Sequence, residues 1–197
     1  YLCMSGRKGP VWLDIPLDVQ AAIVETDEIE GYIPDGSEEI KYDTKHTAKI
    51  IDKIKVAKRP VILAGTGINV AGARSEFLEC ADALGIPVVT AWNAHDIMPT
   101  DHPLFCGKPG TVGLRGGNFI VQSADLLLVL GCRMNIRMIS YNKHEFAKDA
   151  YKIVVDIDEN ELRKPTVNVD MPVCADVKDV MRDIVKYLES DGKYDSQ

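Results

Sequence analysis

The chain has 197 residues, a net charge of −7 and an ordinary apolar fraction of 46%. That length suits one α/β domain with a leading arm, and the acidic balance speaks against a nucleic-acid surface or an anionic membrane. No apolar run approaches the ~20 residues of a membrane helix, and the opening residues do not read as a signal peptide.

The five cysteines, Cys3, Cys80, Cys106, Cys132 and Cys174, are scattered and form no C-x-x-C pair, which speaks against a zinc knuckle or a redox dithiol. Cys132 and Cys174 sit in apolar runs and read as small core residues. Such usage fits a reducing compartment, hence the cytoplasm. The chain opens on Tyr1-Leu2-Cys3-Met4 and at once enters an apolar stretch, so it reads as a piece cut from a longer polypeptide.

In chain order, residues 11–15 (VWLDI) read as a short strand closed by Pro16. Residues 17–41 are acidic, broken by glycine and proline, and read as a surface linker. A helix is expected over 44–57, with Ala48, Ile50, Ile51 and Ile54 inward and Lys53, Lys55, Lys58 and Arg59 solvated. Strand and helix then alternate. Strands are expected at 61–64, 88–90, 125–130, 152–155 and 173–174, and helices at 71–84, near 116–123, between the third and fourth strands, near 159–162 and from the cap Asp176 to about Leu188. Gly85 stands where a helix would stop. Continuous Val/Ile/Leu strands between amphipathic helices imply an α/β fold with a parallel sheet covered on both faces. Ligands in such sheets bind beyond the carboxyl ends of the strands.

The candidate chemistry lies in those loops. Gly65, Thr66 and Gly67 lead from a strand into a helix, where backbone N–H groups can meet a phosphate. The dinucleotide fingerprint is incomplete, because Val70 replaces its third glycine and Thr90 stands where an acid is wanted. Arg133 and Arg137 follow the next strand and suit a phosphate or flavin carbonyl, or else ion pairs with nearby acids. Asp156 and Asp158 suit hydrogen bonds from ribose hydroxyls, and Asp158 equally suits a helix cap. His46, His95, His102 and His144 form no ligand spacing, and no nucleophile elbow or Walker loop occurs.

The ordered motifs are those of a known family. GRKGPVWLDIPLDV (6–19), RPVILAGTG (59–67), GIPVVT (85–90), DHPLFCG (101–107), DLLLVLGCR (125–133) and KIVVDID (152–158) together resemble the acetolactate synthase-like thiamine-diphosphate enzymes. The resemblance implies a Rossmann-like central domain with a parallel six-stranded sheet over residues 42–190. It implies that residues 1–41 are the tail of a preceding pyrimidine-binding domain and linker, and that 191–197 begin a linker to a missing diphosphate-binding domain. The parent would act on a 2-keto acid, with thiamine diphosphate and Mg²⁺ held by flanking domains of two subunits and no catalytic or metal-binding residue in this chain. In flavin-containing members this domain holds FAD. Carried over by position, the contacts would be Arg7, Gly65, Thr66, Gly67, Arg133, Arg137, Asp156, Asp158 and Asp176. One departure stands out. Where the acetolactate synthases have a methionine-glycine-leucine-glycine stretch along the flavin, this chain has AWNAHD (91–96). The alternative is therefore a flavin-free domain that only spaces its neighbours.

Overall fold

The structure is a computed structural model that describes residues 1–34, 40 and 42–190. Two compact units divide the chain, Tyr1–Glu39 and Ile40–Gln197. The expected linker start at 191–197 lies outside the described residues.

In the first unit the strand expected at 11–15 does not form. Trp12 and Leu13 are 90% and 80% exposed and no ladder engages them. A strand needs a neighbour for its N–H and C=O groups, and this segment, bracketed by Pro10 and Pro16, has none in its unit. A single helical turn, α1 (Leu17–Gln20), and a 3-10 turn (Thr26–Glu28) follow, with no buried residue in either.

The second unit is built on five parallel strands: β1 (Pro60–Ala64), β2 (Val88–Thr90), β3 (Leu126–Leu130), β4 (Tyr151–Asp156) and β5 (Met171–Cys174). Their order is β2-β1-β3-β4-β5, one fewer among the described residues than the family resemblance implies. β3 is buried at every position because both its faces are covered. β5 is the edge, so its alternate residues face out. Cys174 is therefore exposed, against the core position expected for it, while Cys132 is buried as expected.

Helix α2 (Lys45–Val56) buries Thr47, Ile50, Ile51 and Ile54 and leaves Lys53 and Lys55 in solvent near its carboxyl end. Cations there also favour the helix dipole. α4 (Arg74–Leu84) buries Phe77, Cys80, Ala81 and Leu84 and ends on Gly85, as expected. The last helix, α8 (Val177–Ser190), begins after Asp176, whose Oδ1 accepts from the Lys178 N–H at 2.8 Å. Helices α2 and α4 both pack on α8. The right-handed crossover rule puts this layer on one face of the sheet and α5 (Arg115–Ser123), reached from β2, on the other. Asp183 of α8 accepts from Thr47 Oγ1 at 2.6 Å, and Tyr42 shares that hydroxyl, so the approach to α2 is tied to the last helix.

The amino edge is fastened by Asp125, whose carboxylate accepts from the backbone N–H groups of Lys58 and Arg59, both at 2.8 Å. Partial burial opposes its charge, but those donors outweigh it and hold the carboxyl below the usual aspartate value. The bonds contribute stability above pH about 4 that disappears as pH falls through the lowered value. Asp125→Ala should cost about 1–2 kcal/mol, discounted because water reaches both donors. Urea unfolding at pH 7 checks it, and the gap from wild type should narrow in acid.

Candidate functional site

β1 connects to β2 on one side and β3 continues the sheet on the other, so the chain reverses direction between β1 and β3. That switch point is where the strand ends of an open α/β sheet part to receive a ligand. Here the two loops touch instead. Gly65 N–H donates to Leu130 O and Gly67 N–H to Gly131 O, each at 2.9 Å. A Cβ on Gly65 would lie 2.2 Å from Gly131 O, and one on Gly67 would lie 2.8 Å from Gly131 Cα. The glycines thus serve a backbone-to-backbone crossing, and Gly131 itself adopts φ +55°.

After Gly65 and Thr66 comes only a single turn, α3 (Gly67–Val70), ended before α4 begins. The long phosphate-facing helix of a dinucleotide fold is therefore interrupted, in keeping with the incomplete fingerprint. Thr90 is fully buried at the end of β2, with its hydroxyl unpartnered.

The 92–96 segment folds back on this turn. Asn69 Nδ2 donates to both oxygens of Asp96 at 3.0 Å, and Arg74 Nε donates to the Asp96 carbonyl at 2.9 Å. Trp92 stays 47% exposed at the rim. On the β3 side, Arg133 Nε pairs with Glu161 at 2.7 Å, and Lys164 bonds both that carboxylate and the Arg133 carbonyl. Arg137 follows on α6 (Ile136–Ile139) with its guanidinium exposed and without a partner among the described residues. Its carbonyl accepts from the Thr111 N–H and hydroxyl.

The acids are occupied too. Asp156 is buried at the end of β4 and accepts from the Asp158 N–H at 3.0 Å. Asp158 caps α7 (Glu159–Arg163) by accepting from the Asn160 N–H at 2.9 Å. Asp176 caps α8. Arg7 is exposed in the first unit and is described there alone. Sheet topology therefore brings Gly65, Thr66, Gly67, Arg133, Arg137, Asp156 and Asp158 to one edge, where the Arg137 guanidinium is the charged group left without a partner among the described residues.

A cavity of about 220 Å³ lies behind the 107–117 loop, lined by Thr111, Asn118, Gln122, Met138, Ser140 and Phe146. Its amides are engaged as well. Asn118 clamps Gly110 through both backbone groups, and Gln122 accepts from the Ala147 N–H. Burial pushes the thiols of Cys80 and Cys132 up to about 12 and about 11, so neither is a thiolate nucleophile at neutral pH. Among the described residues no group of three or more His, Cys, Asp or Glu side chains could hold a metal, and no helix is long and apolar enough to cross a membrane.

Sequence reasoning missed the Asn69–Asp96 clamp, and it missed Lys152, which is 4% exposed inside β4. For Lys152 a signal existed: one charge within the apolar strand run YKIVV. For the clamp none did, since its partners stand 27 residues apart, Asn69 in a single helical turn and Asp96 in an irregular loop.

Comparison with known proteins fits this architecture. The family model for the central domain of thiamine pyrophosphate enzymes matches residues 47–184. A probable acetolactate synthase large subunit of Methanococcus aeolicus is 36% identical over 95% of this chain and 32% of its own length. The acetolactate synthase isozyme 1 large subunit of Escherichia coli K12 is 36% identical over 96% of this chain and 33% of its own. The chain thus spans about a third of these curated relatives. Among solved structures, benzoylformate decarboxylase from Polynucleobacter necessarius shares the fold, with a TM-score of 0.71 at 23% identity over 93% of this chain and 34% of that one. The parallel sheet, its helical layers and a family match over most of its length agree: the chain belongs to the central-domain family of thiamine pyrophosphate enzymes.

Proposed function

We propose that the chain is the central domain of a larger cytoplasmic enzyme that uses thiamine diphosphate to act on a 2-keto acid, in the manner of acetolactate synthase. The observation that carries this reading is the family match over 47–184 in a chain whose curated relatives are acetolactate synthase large subunits. In the parent, thiamine diphosphate supplies the electron sink for decarboxylation or carboligation. The cofactor and its Mg²⁺ belong to flanking domains and a second subunit in this reading, since no described side-chain group here suits a metal. The exposed Val11, Trp12, Leu13 and Ile15 support it, because an apolar stretch of that kind marks a surface that further protein covers. Thiamine diphosphate with Mg²⁺, titrated into the full-length protein and into this chain alone, tests the assignment. Saturable binding only by the full-length protein agrees with it, and binding by this chain alone contradicts it.

For the sheet edge itself the geometry favours a scaffold without a ligand of its own. The residues do not fit FAD as a prebuilt cradle. The glycines close one loop on the other, Arg133 is held by Glu161, Asp158 and Asp176 cap helices, and Asp96 ties the replaced segment down. The second reading, nucleotide binding, rests on Arg137, whose guanidinium is available for a phosphate. Titration of this chain with FAD and with ADP separates the two. The scaffold reading predicts no saturation by either; saturation lost in Arg137→Ala would establish the nucleotide edge instead.

A further inference from the structure

Away from the switch point, at the amino edge of the sheet, a hollow of about 140 Å³ is lined by Lys143, His144, Lys148, Lys152, Asn168 and Asp170, among others. Lys152 pairs in register with Leu127 of β3 and is 4% exposed. Burying an ammonium costs several kcal/mol unless its charge and donors are met. Its Nζ has three N–H donors, yet the bond it makes among the described residues is to the Ala150 carbonyl, at 2.9 Å. No carboxylate among the described residues lies within ion-pairing reach of it. Asp170 spends one oxygen on the Lys152 backbone N–H at 2.8 Å and the other on Asn168 at 3.0 Å. Desolvation pulls the Lys152 ammonium below the ordinary lysine value, while Asp170 and Asp149 pull the other way through space. Two donors of a buried cation are therefore left without protein acceptors, beside a hollow with room for several atoms.

The rest of the wall has the same sign. Lys143 lies at the rim, donating to the Pro165 carbonyl, and His144 is exposed beside it. Lys148 also lines the hollow and pairs outward with Glu145 at 3.1 Å. Three lysines thus face one lining carboxylate, Asp170, whose oxygens are occupied.

We propose that this hollow binds a compact oxyanion, a phosphate or small carboxylate group, with the Lys152 ammonium as its buried anchor and Lys143 at its mouth. A hollow of this size excludes a nucleotide but accepts a group the size of phosphate or acetate. The inference does not depend on the thiamine reading, because it concerns the opposite edge of the sheet.

Thermal unfolding of the chain in increasing inorganic phosphate, and separately in acetate, with chloride holding ionic strength constant, tests it. The melting temperature should rise saturably with at least one anion, and which one does so identifies the source. Lys152→Met replaces the buried charge by an apolar chain of similar length, so the fold should survive. The apparent Kd should rise by about tenfold or more. Lys143→Gln, a rim change with little effect on stability, should weaken binding by roughly threefold. Failure of both anions to raise the wild-type melting temperature overturns the proposal. So does an equal rise in wild type and Lys152→Met; should that variant not fold, an unchanged Kd in Lys143→Gln decides against it in the same way.

Discussion

Gly65→Ala is expected to remove about 3–5 kcal/mol of the second unit's stability, while Gly72→Ala costs only about 1–2 kcal/mol. The added methyl at 65 would sit 2.2 Å from Gly131 O, 2.4 Å from Cys132 Cα and 2.5 Å from Cys132 Cβ. The first two of those atoms are backbone, and both follow directly from β3, so neither can rotate away as a side-chain tip could. Relief requires the β1 and β3 loops to part, which breaks the bonds from Gly65 to Leu130 and from Gly67 to Gly131. Overpacking of 1–3 kcal/mol and two hydrogen bonds of about 1 kcal/mol each then add. Against a total stability of roughly 5–15 kcal/mol, that leaves a marginal fold. Gly72 has φ +60° but nothing within 4 Å of its Cβ position, so only the left-handed conformation is penalised there. Urea unfolding followed by circular dichroism measures both. Equal, small losses at 65 and 72 would show that the loops do not cross as closely as described.

The second large effect is expected at Phe77. Phe77→Ala should cost about 3–5 kcal/mol, the usual range for emptying a fully enclosed aromatic site. Phe77 is 0% exposed on α4, the helix that packs against α8, and is among the largest fully buried side chains described. Its neighbours Cys80, Ala81 and Leu84 are equally enclosed, so the cavity cannot easily collapse. Phe119 on α5 is 62% exposed, with Arg115 over its ring. Phe119→Ala should therefore change stability by less than about 1 kcal/mol. The comparison of the two variants by thermal and urea unfolding separates core packing from mere aromatic content.

Most of the sheet was legible because β1, β3 and β4 lie inside it. A strand covered on both faces must be apolar at nearly every position, and runs such as LLLVL announce that directly. The capped and glycine-stopped helices α4 and α8 were legible for similarly local reasons, carried by Gly85 and Asp176. Residues 11–15 misled because their composition suits a strand, while a ladder needs a partner that composition does not supply. Cys174 misled because an apolar run does not show which strand forms the edge. The short α6 and the 3-10 turn at Lys143–Glu145 blur any period, interrupted as they are by Ser140 and Asn142.

At the candidate site, position was readable and occupancy was not. Strand ends identify the edge on which Arg133, Arg137, Asp156 and Asp158 stand. Whether those groups are available depends on Glu161, which holds Arg133, and on the cap that Asp158 gives to Asn160, both formed only after folding. The departure at 92–96 was visible as a change of residues, but its consequence, a tether from Asp96 to Asn69 and Arg74, exists only in three dimensions.

The most direct test of the central claim is turnover of pyruvate by the full-length protein with and without added thiamine diphosphate and Mg²⁺, following loss of the keto acid and release of carbon dioxide. Pyruvate loss that depends on the cofactor, with acetolactate among the products, is the predicted result. No cofactor-dependent turnover of pyruvate or of any other 2-keto acid would contradict it.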